Sequence, residues 1–458
     1  ESAFVPFGRA WIAAASESSN GRFQFQSDNG TPYNPGDDFT DTRRNNDTDA
    51  REIILRGIAH AGRSEFTYES DAFGRDQGLA GIYSNQADRA RWHSSRWLNS
   101  VTLRRPLSQG ALSSTIYYHH QREKFFDPDA EAGLLPQDNR YTTDALGANL
   151  VATLVRGQAH TWTASLNLRD ETFDSLRRIQ NIDDPSRRRF SVSAALEESI
   201  VVRSSQISLG ATLESVRNHF DTSSSDTLLS WHAGVLKPVS SRVSLKANLG
   251  LQHRLPSFNE LFGDRGFVVG NSALSPERAL NFDAGALLSG RHSFIQASLF
   301  ASRPSDLILF IQNSQYTVKP FNIERAEIYG LELGATITKS DWNASANYTF
   351  QHTRDSGATY YRGNRLPGRP RHQFNAFVER RIGAWAPYYE FDFTGVNYLD
   401  RANRALNNGV RSHTLGVSYN LGGSRWVFEA HNLFDAAASD VLAFPLPGRS
   451  FSLSFSRS

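Results

Sequence analysis

The chain has no cysteine and no methionine. The first absence excludes disulfide frameworks, thiol nucleophiles, iron–sulfur clusters and cysteine-rich zinc sites, and it leaves the redox compartment unmarked. The second means that no initiator is present, so the 458 residues read as a processed chain or as part of a longer one. An excess of either charge is missing too: 49 basic side chains stand against 47 acidic ones, for a net charge of +2. General nucleic-acid binding needs a concentrated basic face and is not expected. Long apolar runs are also absent. The densest, at 307–311, has five residues, against the roughly 20 that a membrane-crossing helix requires. One membrane class survives this test, because the strands of a transmembrane β-barrel alternate between lipid and lumen and so average to a polar composition.

Alternation is what the sequence does have. Over 342–350, Trp342, Ala344, Ala346, Tyr348 and Phe350 take one parity and Asn343, Ser345, Asn347 and Thr349 the other, the period of a strand. In the same way Leu245 opposes Lys246, Leu415 and Val417 oppose Ser418, and Leu453 opposes Ser454. The apolar parity is expected to face lipid and the polar parity a wet lumen. Such runs, with the turn signals between them, define an all-β chain: a transmembrane antiparallel outer-membrane β-barrel of about twenty strands, the lower end of a 20–22 range whose upper end comes from the resemblance described next. Tight connections at 289–291, 339–341 and 422–424 alternate with long polar ones at 20–50, 127–141 and 257–277. Short turns on one side and long loops on the other are the barrel pattern. The soluble alternatives are a propeller, which would show a repeat of about 40 residues, and tandem sandwiches. No such repeat is found, and polar faces recur along nearly every strand.

Several stretches resemble the TonB-dependent outer-membrane transporters. They begin with Arg254-Leu255-Pro256-Ser257-Phe258-Asn259-Glu260-Leu261-Phe262-Gly263 and Gly270-Asn271-Ser272-Ala273-Leu274-Ser275-Pro276-Glu277. Ser305-Asp306-Leu307-Ile308 agrees, as do Asn322-Ile323 with Ala326, Ile328, Gly330 and Glu332, and Leu366-Pro367-Gly368-Arg369-Pro370-Arg371-His372. So does the ending, Asn432-Leu433-Phe434-Asp435 with Pro447-Gly448-Arg449-Ser450-Phe451. The resemblance is specific from Leu251 onward and compatible before it. It implies a barrel of about 22 strands around a plug, set in the outer-membrane lipid of a Gram-negative cell. It also implies an energy-transducing TonB-type partner and uptake of a siderophore, a cobalamin or another metal chelate. No plug or energy-coupling box is read within 1–458, so the whole sequence is assigned to the barrel. The plug, and on the strand tally the first hairpin, is expected upstream of this sequence, on another chain, or lost. A plugless barrel would instead be a passive pore or a scaffold subunit of a larger complex.

Catalysis is not expected, since neither a Gly-x-Ser-x-Gly elbow nor a His-Glu-x-x-His helix occurs. Haem-uptake relatives usually carry a histidine between the two motifs quoted first, and 256–277 has none, which disfavours haem. Asp37, Asp38, Asp41, Asp47 and Asp49 crowd one connection. Such a density of hard oxygen ligands suits calcium, and a solvated acidic loop is the alternative. Trp92, Trp97, Tyr316, Tyr360, Tyr361 and Tyr398 fall near loop ends, where they either clamp a substrate or anchor the barrel at the headgroup level. The substrate site is expected at the extracellular mouth, around 258–269, 316–321 and 360–365. There Arg265, Phe267, Tyr316, Lys319, Tyr360, Tyr361 and Arg362 combine cations with aromatics suited to an anionic chelate.

Overall fold

The computed structural model describes residues 2–5, 8–31, 34–82, 84–312, 317–437, 439–441 and 444–457. Its main sheet has 24 strands, of which Ile182–Asp183, Asp264–Arg265 and Val268–Val269 are short loop ladders. The other 21 follow one another. They are β1 (Ser2–Val5), β2 (Gly8–Ser19), β3 (Thr48–Ala61), β4 (Ser64–Gly78), β5 (Arg91–Leu107), β6 (Gly110–Asp127) and β7 (Gln137–Arg156). Next come β8 (His160–Arg177), β9 (Arg187–Val202), β10 (Ser205–His219), β11 (Ser223–Pro238), β12 (Val243–Arg254), β13 (Glu277–Ser289) and β14 (Ser293–Gln312). The last are β15 (Val318–Lys339), β16 (Trp342–Asp355), β17 (His372–Arg380), β18 (Trp385–Thr394), β19 (Val410–Leu421), β20 (Ser424–His431) and β21 (Ser450–Arg457).

Each of these strands pairs antiparallel with its successor. Turn chemistry sets the register on the short side: Leu421 pairs with Ser424 across Gly422 and Gly423, whose φ of +56° and +78° are those of the hairpin turn that matches strand twist. On the other side lie the connections 20–47, 79–90, 128–136, 255–276, 356–371, 395–409 and 432–449. The sheet curls until the loops of its two ends meet, with the Arg43 guanidinium 5.9 Å from the Phe444 ring centre.

Curling gives every strand an inner and an outer face, and the alternation of the sequence sorts onto them. Ile116, Leu146, Leu299 and Leu453 stand on the outer face at 59%, 59%, 61% and 68% exposure. Among the described residues the buried apolar cluster is only Tyr141, Phe173 and Phe258, with Phe220 and Phe262 against it. A soluble protein hides its leucines and displays its polar side chains; here the apolar mass points outward on strand after strand. Ser418 departs from the expected pattern. It shares the inner parity, yet it is 2% exposed, directly across the ladder from the buried Ala386, and so does not front an open lumen.

Candidate functional site at the loop rim

The connection 255–276 begins with a five-residue helix, α1 (Phe258–Phe262). Ser257 starts it: its hydroxyl accepts the Glu260 N–H at 3.3 Å, while the Glu260 carboxylate accepts the Ser257 N–H at 2.8 Å, a reciprocal cap that satisfies two otherwise orphaned donors. The Arg254 guanidinium reaches both Glu260 at 2.9 Å and Glu277 at 2.7 Å. Burial alone would raise the Glu260 carboxyl, but Arg254 and the Ser257 N–H outweigh it and hold the group below its ordinary value. Glu277 in turn accepts the Ile308 N–H at 2.6 Å. Asn322 accepts the Ser275 N–H at 2.9 Å and donates to the Asp306 carbonyl at 2.6 Å. Four of the sequence stretches singled out for their resemblance are thus one hydrogen-bonded knot at the foot of this loop.

Beyond the knot the loop leans inward. Phe258 and Phe262 stack on Phe173 with ring centres 5.3 and 6.2 Å away, and Tyr141 closes the stack at 5.9 Å. Arg187 lies 4.2 Å over Phe262 and Arg189 5.1 Å over Phe258. Arg189 also donates to the Pro256 carbonyl and to Asn218, both at 2.9 Å. The tip is pinned to β7: Gln137 donates to the Asp264 carboxylate at 2.9 Å, Asn139 to the Asp264 carbonyl at 2.8 Å, and the Tyr141 hydroxyl bonds to the same carbonyl. Burial pushes the Asp264 carboxyl up, against the pull of Gln137. Gly266 sits at φ +64°, with space for a Cβ blocked by the Ala132 carbonyl oxygen at 2.0 Å. This inward anchor was not read from the sequence. Its signals were the i, i+4 phenylalanines of α1 and the inner parity of Tyr141 and Phe173.

The expected substrate residues separate. Arg265 is engaged: its guanidinium contacts Glu123 and Asn259, each at 2.6 Å, and lies 4.4 Å over the Trp92 ring. Phe267 is exposed, and its carbonyl accepts the Val318 N–H at 2.7 Å. That bond brings 258–269 beside Lys319, which is half-buried. Tyr316 lies outside the described residues. Tyr360, Tyr361 and Arg362 belong to a different group, tied to 395–409. The Arg401 guanidinium lies 4.8 Å over Tyr361 and donates to the buried Asp355 at 2.8 Å, and Asn403 accepts the Arg365 N–H at 2.7 Å. Tyr360 is 89% exposed and packs edge-on to Tyr361; Arg362 is exposed. Trp97 stands on the outer face, edge-on to Tyr118, and Tyr398 lies under Arg365 at 5.5 Å.

The acidic connection is likewise dispersed. Asp37 accepts from the Thr31 hydroxyl at 2.7 Å, Asp41 from Gln86 at 2.7 Å, Asp47 pairs with Arg91 at 2.8 Å and Asp49 with Arg51 at 3.3 Å, while Asp38 is exposed. The hydrogen bond from Arg91 holds Asp47 below the usual carboxylate range. Among the described residues no group of three or more acidic or histidine side chains is gathered as a metal site.

Comparison with known proteins places this architecture. The vitamin B12 transporter BtuB of Photobacterium profundum is 25% identical over 205 residues, 43% of this chain and 32% of its own length. Transferrin-binding protein A of Neisseria meningitidis serogroup B is 30% identical over 125 residues, 25% of this chain and 13% of its own. The chain therefore spans a third or less of these relatives. The copper transporter OprC superposes with a TM-score of 0.81 at 15% identity, over 99% of this chain and 76% of that one, which establishes a shared fold. The family model for the β-barrel of TonB-dependent receptor-like proteins matches residues 11–455, and the chain belongs to that family.

Proposed function

We propose that the chain is the barrel of an outer-membrane receptor that captures a metal chelate or a similar scarce nutrient outside a Gram-negative cell and passes it to the periplasm. The observation that carries the membrane placement is the outward apolar face, with leucines on strand after strand at the exposures given above. No soluble surface keeps such a band in water without associating, whereas a barrel in lipid requires it. The transport reading is supported by family membership and by relatives named as transporters of vitamin B12, copper and iron. In this reading a plug fills the lumen and a TonB-type protein supplies the pull, as the family implies. The inward loop 255–276, fixed to the inner wall at both its foot and its tip, narrows the mouth above that plug. The test is uptake into cells that depend on this receptor. Accumulation of a radiolabelled chelate that stops when the membrane potential is collapsed supports energised transport. Accumulation that persists without the potential, and does not saturate with concentration, assigns the barrel to a passive pore.

A further inference from the structure

At the loop end of the sheet, four arginines on adjacent strands share the outward facing. Arg303 continues the outward parity of Leu299 on β14, and it pairs across the ladder with Leu280 of β13, two residues from Arg278. Ser305 pairs with both Arg278 and Arg325, and Glu327 on β15 pairs with Arg354 on β16. All four arginines are exposed. Directly below them the outward residues turn apolar, with Leu280, Phe282, Leu299 and Tyr329 exposed. The height of the patch follows from β16, where Arg354 is the thirteenth of 14 residues. A rise of about 3.4 Å per residue along a strand tilted by roughly 40° sets Arg354 on the order of 30 Å above the outward Trp342, just past an apolar band about 25 Å tall. A cation on the lipid face is tolerated there, at the headgroups, whereas at the midplane it is strongly destabilising.

The charges of this patch are not balanced from within. Glu327 is the acid of the outward parity, and Arg354 holds it at 2.7 Å. Glu324, on the opposite parity, lies 3.9 Å from Arg325 and accepts the Ala358 N–H at 2.9 Å. Asp306, next to Ser305, makes no ion pair with the four arginines among the described residues. His352, below Arg354, faces Tyr329 with ring centres 5.0 Å apart and brings no negative charge. Arg278 reaches only the Ser305 hydroxyl, at 2.7 Å, and Arg303 has no hydrogen bond or ion pair among the described residues. Unanswered positive charge therefore extends from β13 to β15, two inter-strand spacings or about 10 Å, more than one phosphate covers. Guanidinium forks suit phosphate oxygens, which they bind two at a time. A free polyphosphate would meet these cations but leave the apolar surface beneath them bare, whereas a lipid covers both.

We infer that the outward patch of Arg278, Arg303, Arg325 and Arg354 seats the headgroup of an outer-leaflet lipid bearing two phosphates, its acyl chains lying over Leu280, Phe282 and Leu299. The inference rests on the membrane placement proposed above and on nothing about the cargo. It is tested by native mass spectrometry of the full chain released from detergent micelles. Four probes are titrated: lipid A with two phosphates, its monophosphoryl form, phosphatidylcholine and inorganic pyrophosphate. Saturable retention of one bisphosphorylated lipid is expected, weaker for the monophosphoryl form and lowered about tenfold by Arg303→Gln or by Arg278→Gln, the scale of one charge-assisted hydrogen bond. Both side chains are exposed and neither is paired with an acid, so neither change threatens folding. Arg217→Gln, at an exposed arginine on the outward parity of β10 and outside the patch, should leave retention unchanged. Retention that ignores the patch variants, falls equally with Arg217→Gln, or is matched by phosphatidylcholine overturns the inference. Pyrophosphate binding as tightly as the lipid overturns it too, in favour of a free-anion site. If no lipid is retained by a chain that still inserts into phosphatidylcholine vesicles, the inference falls and the membrane placement stands; a chain that does not insert removes both.

Discussion

Arg265 carries its charge into a closed contact with Glu123, Asn259 and the face of Trp92. As a lone arginine in a polar loop it reads from the sequence as a cation awaiting a ligand. Its partner lies 142 residues away, and no local pattern reveals a pairing that only the curled sheet creates. Because both side chains of the pair are largely buried, Arg265→Ala should loosen the loop tip by about 2 kcal/mol, between the worth of exposed and buried pairs. Hydrogen exchange across 258–269 should rise accordingly, with unchanged exchange contradicting the assignment. Glu131 has a similar office between neighbouring loops. It accepts the backbone N–H groups of Asp88, Arg89 and Ala90 at 3.0, 2.7 and 3.2 Å. Burial would raise its carboxyl, but these three donors outweigh it, and the group lies below its ordinary 4.5. A depressed carboxylate contributes stability above its unfolded value and loses it as pH falls through the folded one. The clasp between 79–90 and 128–136 should therefore hold at neutral pH and open progressively below about pH 4.5. Limited proteolysis of these loops should show that opening, and Glu131→Gln should cleave readily already at pH 7.

Strands were the legible elements. On β16, side-chain parity in 342–350 is enough to name both faces, since a one-residue slip would turn the whole apolar set inward. It follows that Ala346→Lys should cost about 2–4 kcal/mol of barrel stability in lipid while Asn347→Lys costs little. Urea unfolding of the two variants in vesicles makes the comparison, and equal losses would refute the facing. Loops were legible only at their feet. The stretches around Arg254, Glu277, Asp306 and Asn322 could be recognised as family-like, yet their role as one knot depends on contacts between strands. Gly266 shows why the tip stayed hidden: its requirement for glycine comes from Ala132, in a loop remote in sequence. Gly266→Ala should raise proteolysis of 255–276, whereas Gly57→Ala, with nothing within 4 Å of its Cβ, should leave cleavage unchanged.

For the whole molecule, composition excluded helical spans and alternation supplied the barrel, with 21 successive strands among the described residues where about twenty were read. The grouping of the loops was not available, because which rim segments meet depends on curvature and strand order. Thus 356–371 sits with 395–409 rather than with 255–276. The absence of cysteine makes the central claim directly measurable, since any introduced thiol can be labelled alone. Nitroxide labels placed singly at each position from 342 to 350, in the chain reconstituted into lipid vesicles, report collisions with oxygen dissolved in the bilayer and with a water-soluble nickel chelate. The account predicts a two-residue period, with oxygen reaching 342, 344, 346, 348 and 350 and falling away at 343, 345, 347 and 349. Oxygen access with no such period, or nickel reaching the even positions as freely as bulk solvent, would contradict a lipid-facing barrel wall.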